Sequence, residues 1–185
     1  MTGEGQGNGQ TRPAIGDLVA GALRDIPDFP KPGILFKDIG PLLADPVVFG
    51  AVIEEWRARH TGSVDLVAGL EARGFLFAGA LAHALGVGTL PVRKAGKLPG
   101  ATIERSYDLE YGSATLAIQE GAITPGDRVL VVDDILATGG TARAACELIE
   151  QAGGRIVAVD VVMELAGLGG RAAMERWPVS ALTSD

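Results

Sequence analysis

Apolar side chains recur at Ile15, Leu18, Val19, Ala22 and Leu23, a helical spacing, with Asp17 in the first turn of residues 15–23. Residues 47–60 repeat that rhythm, with Val48, Phe49, Val52, Ile53 and Trp56 on one face, and predict a second helix. Between them, residues 26–41 hold four prolines and two glycines and predict a shaped loop rather than a regular element. Beyond residue 60 the rhythm changes. Residues 66–68, 87–92, 129–132 and 156–163 are continuous apolar runs, whereas 75–85 and 141–152 return to helical spacing. The inner face of the last helix would be Ala142, Ala145, Cys146, Ile149 and Ala152. Residues 181–183 could add a final short strand. Unbroken apolar strands alternating with helices predict a parallel sheet covered on both faces. Such sheets bind ligands beyond the carboxyl ends of their strands. The polar stretches after strands, including 93–108, are therefore where chemistry is expected.

Length and composition narrow this to one α/β domain. A chain of 185 residues with 47% hydrophobic content supports a single core, assigned to residues 13–185. Residues 1–12 are rich in Gly, Gln and Asn and predict a disordered tail. Gly5, Gly7 and Gly9 imitate a dinucleotide fingerprint, but no strand precedes them. A formal charge of −7 argues against a general nucleic-acid binder. The N-terminus lacks the layout of a secretory signal, and no apolar run is long enough to span a membrane. The lone Cys146 excludes an intramolecular disulfide and fits a cytoplasmic protein. His60 and His83 read as surface or packing residues, Trp56, Trp177 and Cys146 as core, and no metal-ligand spacing of Cys or His occurs.

The most informative segment is 129–141, VLVVDDILATGGT: a buried strand, two acids, a loop of small residues and a helix start. Ala137, Thr138, Gly139, Gly140 and Thr141 offer unobstructed backbone N–H groups, and the glycines permit positive φ. At a helix N-terminus this makes a receptor for a phosphate dianion, with Thr138 and Thr141 adding hydroxyls and Thr141 able to cap the helix. Adjacent carboxylates suit such a site when the phosphate is carried by a sugar, whose vicinal hydroxyls Asp133 and Asp134 would accept. A nucleoside-triphosphate loop is excluded, because GxxxxGK[ST] is missing.

This segment resembles the phosphoribosyl-diphosphate motif of type I phosphoribosyltransferases. Three more segments are similar to the adenine-specific members of that family: PDFPKPGILFKDI at 27–39, GLEARGF at 69–75, and RKAGKLPG at 93–100 with YDLEYG at 107–112. Together they cover residues 15–164. The resemblance implies an open parallel sheet flanked by helices, with a flexible hood or lid at 98–111. It implies transfer of the 5-phosphoribosyl group from phosphoribosyl diphosphate to adenine, giving AMP and diphosphate, with Mg²⁺ held mainly by the substrate.

Residue by residue, it implies that Ala137 to Thr141 cradle the 5′-phosphate and that Asp133 and Asp134 face the ribose. Leu35, Phe36 and Lys37 border the adenine. Arg73 meets the diphosphate, with Arg93, Lys94 and Lys97 as a basic gate that reaches a neighbouring subunit of a homodimer. A non-proline cis peptide is implied near Glu71 and Ala72. Glu110 would sit beside the reacting sugar with Tyr111 next to it, as electrostatic partner or as proton acceptor. Physical chemistry agrees with these roles: a stiff proline-rich loop can wall a planar base, and a guanidinium can fork onto a diphosphate. Two rivals compete with this reading. One is transfer to another base, against which the 27–39 and 109–112 segments argue. The other is a non-catalytic sensor of phosphoribosyl diphosphate, which would need a nucleic-acid-reading domain or a basic face.

Overall fold

The computed structural model describes residues 14–108 and 112–185. The expected disordered tail lies outside the described residues. Helix α1 (Ile15–Gly21) leads into strands β1 (Arg24–Pro27) and β2 (Leu35–Asp38), then helices α2 (Gly40–Ala44) and α3 (Pro46–His60). Strand β3 (Leu66–Leu70), helix α4 (Gly74–Leu85) and strand β4 (Gly88–Lys94) follow, then β5 (Thr102–Asp108) and β6 (Ser113–Gln119). The chain continues through β7 (Arg128–Leu136), α5 (Gly140–Gln151), β8 (Arg155–Glu164), α6 (Gly170–Ala173) and β9 (Val179–Ser184).

Among the described residues, seven strands form one sheet in the order β5-β6-β4-β3-β7-β8-β9. Its body, from β4 through β3, β7 and β8 to β9, is parallel. The continuous apolar runs explain why: strands covered on both faces need no polar face. One core lies on the α5 side, with Leu70, Leu90, Ile118, Val131 and Ile149. The other lies under α1, α3 and α4, where Trp56 and Phe77 are fully buried and meet edge-on at 5.7 Å. Burying a side chain such as Phe77 contributes roughly 1.5–3 kcal/mol. Helix α3 starts where expected, because Asp45 accepts N–H bonds from Val47 and Val48 and Pro46 occupies the first turn.

Three expectations change. The 26–41 stretch is not only a loop, since β1 and β2 pair antiparallel as a ribbon from Arg24↔Asp38 to Pro27↔Leu35. Its prolines Pro30 and Pro32 fall in the connection, where they remove no ladder donor. The hood is sheet-built: β5 and β6 pair antiparallel, and β6 pairs antiparallel with the end of β4. Ile103, Arg105 and Tyr107 are partly covered while Glu104 and Ser106 are exposed, a period-2 alternation legible in the sequence but masked by its polar residues. His60 is more than packing. It is buried and its Nε2 lies 2.9 Å from the buried carboxylate of Asp160, tying α3 to β8.

Candidate active site

Strand β3 leads through α4 to β4 on one side, and β7 leads through α5 to β8 on the other. The β3–β7 boundary is thus the point where strand order reverses, and the chain leaves a crevice there. A cleft of about 360 Å³ opens at this point. It is lined by Leu35, Phe36 and Lys37 of β2, by Glu71, Ala72 and Arg73 after β3, and by the continuous run from Asp133 to Ala142. Three stretches separated by dozens of residues meet in it.

The Ala137–Thr141 loop is held from behind. Gly139 has φ of 80°, a left-handed conformation that favours glycine, and it is the N-cap of α5 with no side-chain cap bond. Of the two expected glycines only Gly139 takes positive φ, and Thr141 does not cap the helix. Instead the Thr141 hydroxyl lies 3.0 Å from the Tyr107 hydroxyl of β5. A Cβ on Gly139 would stand 2.7 Å from the Gly170 carbonyl oxygen and 3.1 Å from the Ala173 Cβ. A Cβ on Gly170 would in turn overlap the Ala137 carbonyl. Arg171 braces this backing through Nε bonds of 3.1 and 3.0 Å to the Glu164 carboxylate. Arg171 also donates to the Val179 carbonyl at 2.8 Å. The C-terminal stretch, which carries no motif, thus packs directly behind the loop.

The carboxylates sit at the end of β7. Burial first, and then the neighbouring Asp134 charge, hold the Asp133 carboxyl well above the usual carboxylate range. The Asp134 N–H donates to Asp133 Oδ1 at 2.9 Å. Asp134 is 3% exposed, and Arg73 Nε lies 2.8 Å from its Oδ2. That N–H does not point at the oxygen, so Oδ2 is ion-paired yet lacks a hydrogen bond. The Arg73 guanidinium also lies 5.5 Å from the centre of the Phe36 ring, joining the acids at the end of β7 to the β2 wall. Phe36 in turn meets Phe29 edge-on at 5.1 Å.

Asp133 yields a pH-dependent prediction. Below the unfolded-state pKa the carboxyl is protonated in both states. As pH rises past it, only the unfolded chain ionises, so the native state loses stability until Asp133 itself ionises. Asp133→Asn removes this cost, and Tm should rise at neutral pH by a few degrees. The gain should disappear below about pH 4 in thermal melts across pH. A Tm gain independent of pH would refute the assignment.

Other expected site residues are placed as follows. The Lys37 ammonium pairs with Asp25 across the ribbon at 2.8 Å, so its charge is directed to a carboxylate of the chain itself. Leu35 is 52% exposed at the cleft mouth. The Glu71–Ala72 peptide is cis, at the position the resemblance implied. Arg93, Lys94 and Lys97 do not line the cleft: Arg93 donates to Glu71 Oε1 at 3.1 Å and to the Lys97 carbonyl at 2.8 Å, while Lys94 and Lys97 are exposed. Glu110 and Tyr111 lie outside the described residues. Sequence reasoning missed Glu71, whose carboxylate also accepts the Lys94 N–H at 2.9 Å, and Val161 and Leu165 on the far wall. An acid beside an arginine carried a weak signal, but two isolated apolar residues carried none.

Comparison with known proteins bears on this arrangement. Residues 50–180 match the family model of the phosphoribosyl transferase domain. The chain is 56% identical over 171 residues to the adenine phosphoribosyltransferase of Acidothermus cellulolyticus, covering 92% of this chain and 95% of that one. It is 53% identical over 169 residues to that of Cutibacterium acnes, covering 90% and 96%. The crystal structure of the Thermoanaerobacter pseudethanolicus adenine phosphoribosyltransferase is similar with a TM-score of 0.87 at 45% identity, covering 91% of this chain and 99% of that one. The Saccharomyces cerevisiae adenine phosphoribosyltransferase, complexed with an imino-altritol bisphosphate and adenine, gives a TM-score of 0.87 at 44% identity, covering 91% and 98%.

Proposed function

The chain belongs to the adenine phosphoribosyltransferase family, and from that premise we propose how its cleft performs the reaction. The enzyme transfers the 5-phosphoribosyl group from phosphoribosyl diphosphate to adenine, giving AMP and diphosphate, a purine-salvage step. The observation that carries the reading is convergence. A loop of small residues at a helix start, two adjacent carboxylates, a guanidinium and an apolar wall line one cleft at the reversal of strand order.

The 5′-phosphate binds the N–H groups of the Ala137–Thr141 loop and the start of α5, where the helix dipole favours an anion. The ribose 2′- and 3′-hydroxyls donate to Asp133 and Asp134 at the end of β7. Adenine lies against Leu35 and Phe36, with Lys37 at its border. A base nitrogen forms its bond to the anomeric carbon while the bond from that carbon to the diphosphate oxygen breaks. The bond electrons leave with the diphosphate, and Arg73 compensates the charge that develops there. Holding both reactants in register supplies the rest of the acceleration. Glu110, next to Tyr111 in the sequence, is the acid we assign to the reacting sugar's chemistry, where it either stabilises positive charge or takes the proton that the base nitrogen releases.

The two adjacent acids at the end of β7, lining the cleft beside Arg73, suit a Mg²⁺ ion that arrives on the substrate's diphosphate and hydroxyls. Bound there, the ion would neutralise charge on the departing diphosphate. Arg93, Lys94 and Lys97, at the end of β4 and in the turn after it with both lysines exposed, suit a basic edge offered to the site of a second copy. That supports a homodimer. The lone, buried Cys146, its thiol pushed well up by burial, fits a reducing cytoplasm.

The test mixes the protein with Mg²⁺, phosphoribosyl diphosphate and, in separate reactions, adenine, hypoxanthine, guanine, xanthine and orotate, followed by chromatography of the nucleotides. AMP from adenine alone is the expected outcome. Nucleotide from another base at a comparable rate would overturn the base assignment, and no nucleotide from any base would overturn the reaction.

A further inference from the structure

We propose that Tyr107 is a positioning residue for the 5′-phosphate, acting through the hydroxyl of Thr141; this rests on the phosphate role of the 137–141 loop given above. Tyr107 is the penultimate residue of β5, in the hood rather than in the loop. Its hydroxyl lies 3.0 Å from Thr141 Oγ1. Its ring edge covers the loop glycine, standing 3.8 Å from where a Cβ on Gly140 would be. The ring packs against the core on the α5 side, so its position is determined by more than one hydrogen bond. Two residues earlier on the same strand, Arg105 Nε donates to Glu147 of α5 at 2.7 Å, so β5 is attached to the helix at two points.

A threonine hydroxyl has one proton and two lone pairs. If Thr141 accepts nothing, its proton can rotate away from the loop. If it accepts from Tyr107, its own proton is left to donate, and the direction open to it is the anion-binding side of the helix start. The phenol is the more acidic of the two hydroxyls and is the better donor, which fixes the chain as Tyr107 O–H to Thr141 Oγ1 and Thr141 O–H to a phosphate oxygen. Charge on the phosphate strengthens both bonds together. Tyr107 never touches the substrate in this arrangement; it presets the rotor that does.

The test compares Tyr107→Phe, Thr141→Ala and the double variant in the full chain, all by steady-state kinetics and by titration with inorganic phosphate. Tyr107→Phe keeps the ring and its packing and loses one hydroxyl. Its KM for phosphoribosyl diphosphate and Kd for inorganic phosphate should each rise about three- to tenfold, the worth of one hydrogen bond. The kcat should stay within about twofold, and KM for adenine should be unchanged. In the Thr141→Ala background, adding Tyr107→Phe should change nothing further. Wild-type phosphate affinity in Tyr107→Phe, or full additivity of the two substitutions, would overturn the inference. So would an equal rise in KM for both substrates, which marks general loosening of the hood. Failure of the unsubstituted enzyme to make AMP would instead overturn the function on which the inference rests.

Discussion

Arg73→Ala is expected to lower kcat/KM for phosphoribosyl diphosphate by about 100- to 1,000-fold, the usual cost of removing a donor that faces developing charge. The guanidinium stands between the two halves of the site: its Nε is 2.8 Å from Asp134 Oδ2, and its plane lies over Phe36. Arg73→Lys should recover only part of the loss, since an ammonium keeps the charge but not the planar fork. The Asp134 side chain is almost fully buried, so Arg73→Ala also strips a buried carboxylate of its counter-charge and should lower Tm. The two effects separate in the double variant Arg73→Ala/Asp134→Asn. That protein should regain Tm in a thermal melt without regaining turnover. If Arg73→Ala keeps kcat/KM within threefold, the leaving-group role is wrong, whatever happens to Tm.

Gly139→Ala is expected to raise KM for phosphoribosyl diphosphate more than about tenfold, leaving the adenine wall untouched. An L-residue at φ of 80° costs roughly 1–2 kcal/mol. The added Cβ would meet the Gly170 carbonyl oxygen at 2.7 Å, and backbone cannot yield as a side-chain tip can. The loop must therefore rotate, and its N–H groups lose their common focus. A loss of that size corresponds to a Tm decrease of about 2–8 °C for a domain of this length. Gly50→Ala is the control. Gly50 lies inside α3 with nothing within 4 Å of the added atom, so the change should be neutral or slightly stabilising. Isothermal titration with phosphoribosyl diphosphate distinguishes the outcomes. Wild-type affinity in Gly139→Ala would mean that this loop is not the phosphate receptor.

Both predictions depend on contacts between segments far apart in the chain, and here sequence and structure contribute differently. The continuous apolar runs at 66–68, 129–132 and 156–163 and the helical spacing at 141–152 are local signals, set by the 2- and 3.6-residue periods of strand and helix. So is the Asp133–Thr141 segment, whose strand, acids, small residues and helix start are contiguous. The strand–helix order, the layer architecture and the small-residue loop between β7 and α5 were legible for that reason. The β1–β2 ribbon and the β5–β6 hairpin were not. Prolines obscured the first, and in the second polar residues such as Glu104, Arg105 and Ser106 concealed an alternation that registers only against α5.

No local rule reports which distant groups meet. The parallel register of β3 with β7 brings Glu71–Arg73 beside Asp133 and Asp134, some sixty residues later. Close glycine packing does the same for Gly170 behind Gly139, and a hydroxyl pair brings Tyr107 to Thr141. The pairing of His60 with Asp160 across a hundred residues is of the same kind. Period and propensity act over a few residues and determined the elements of this protein and the strand–loop–helix segment 129–141. The aim of Arg73, the backing of the loop and the partner of Thr141 were decided by tertiary packing, because each is a distance between chains of atoms that only the closed core brings within reach.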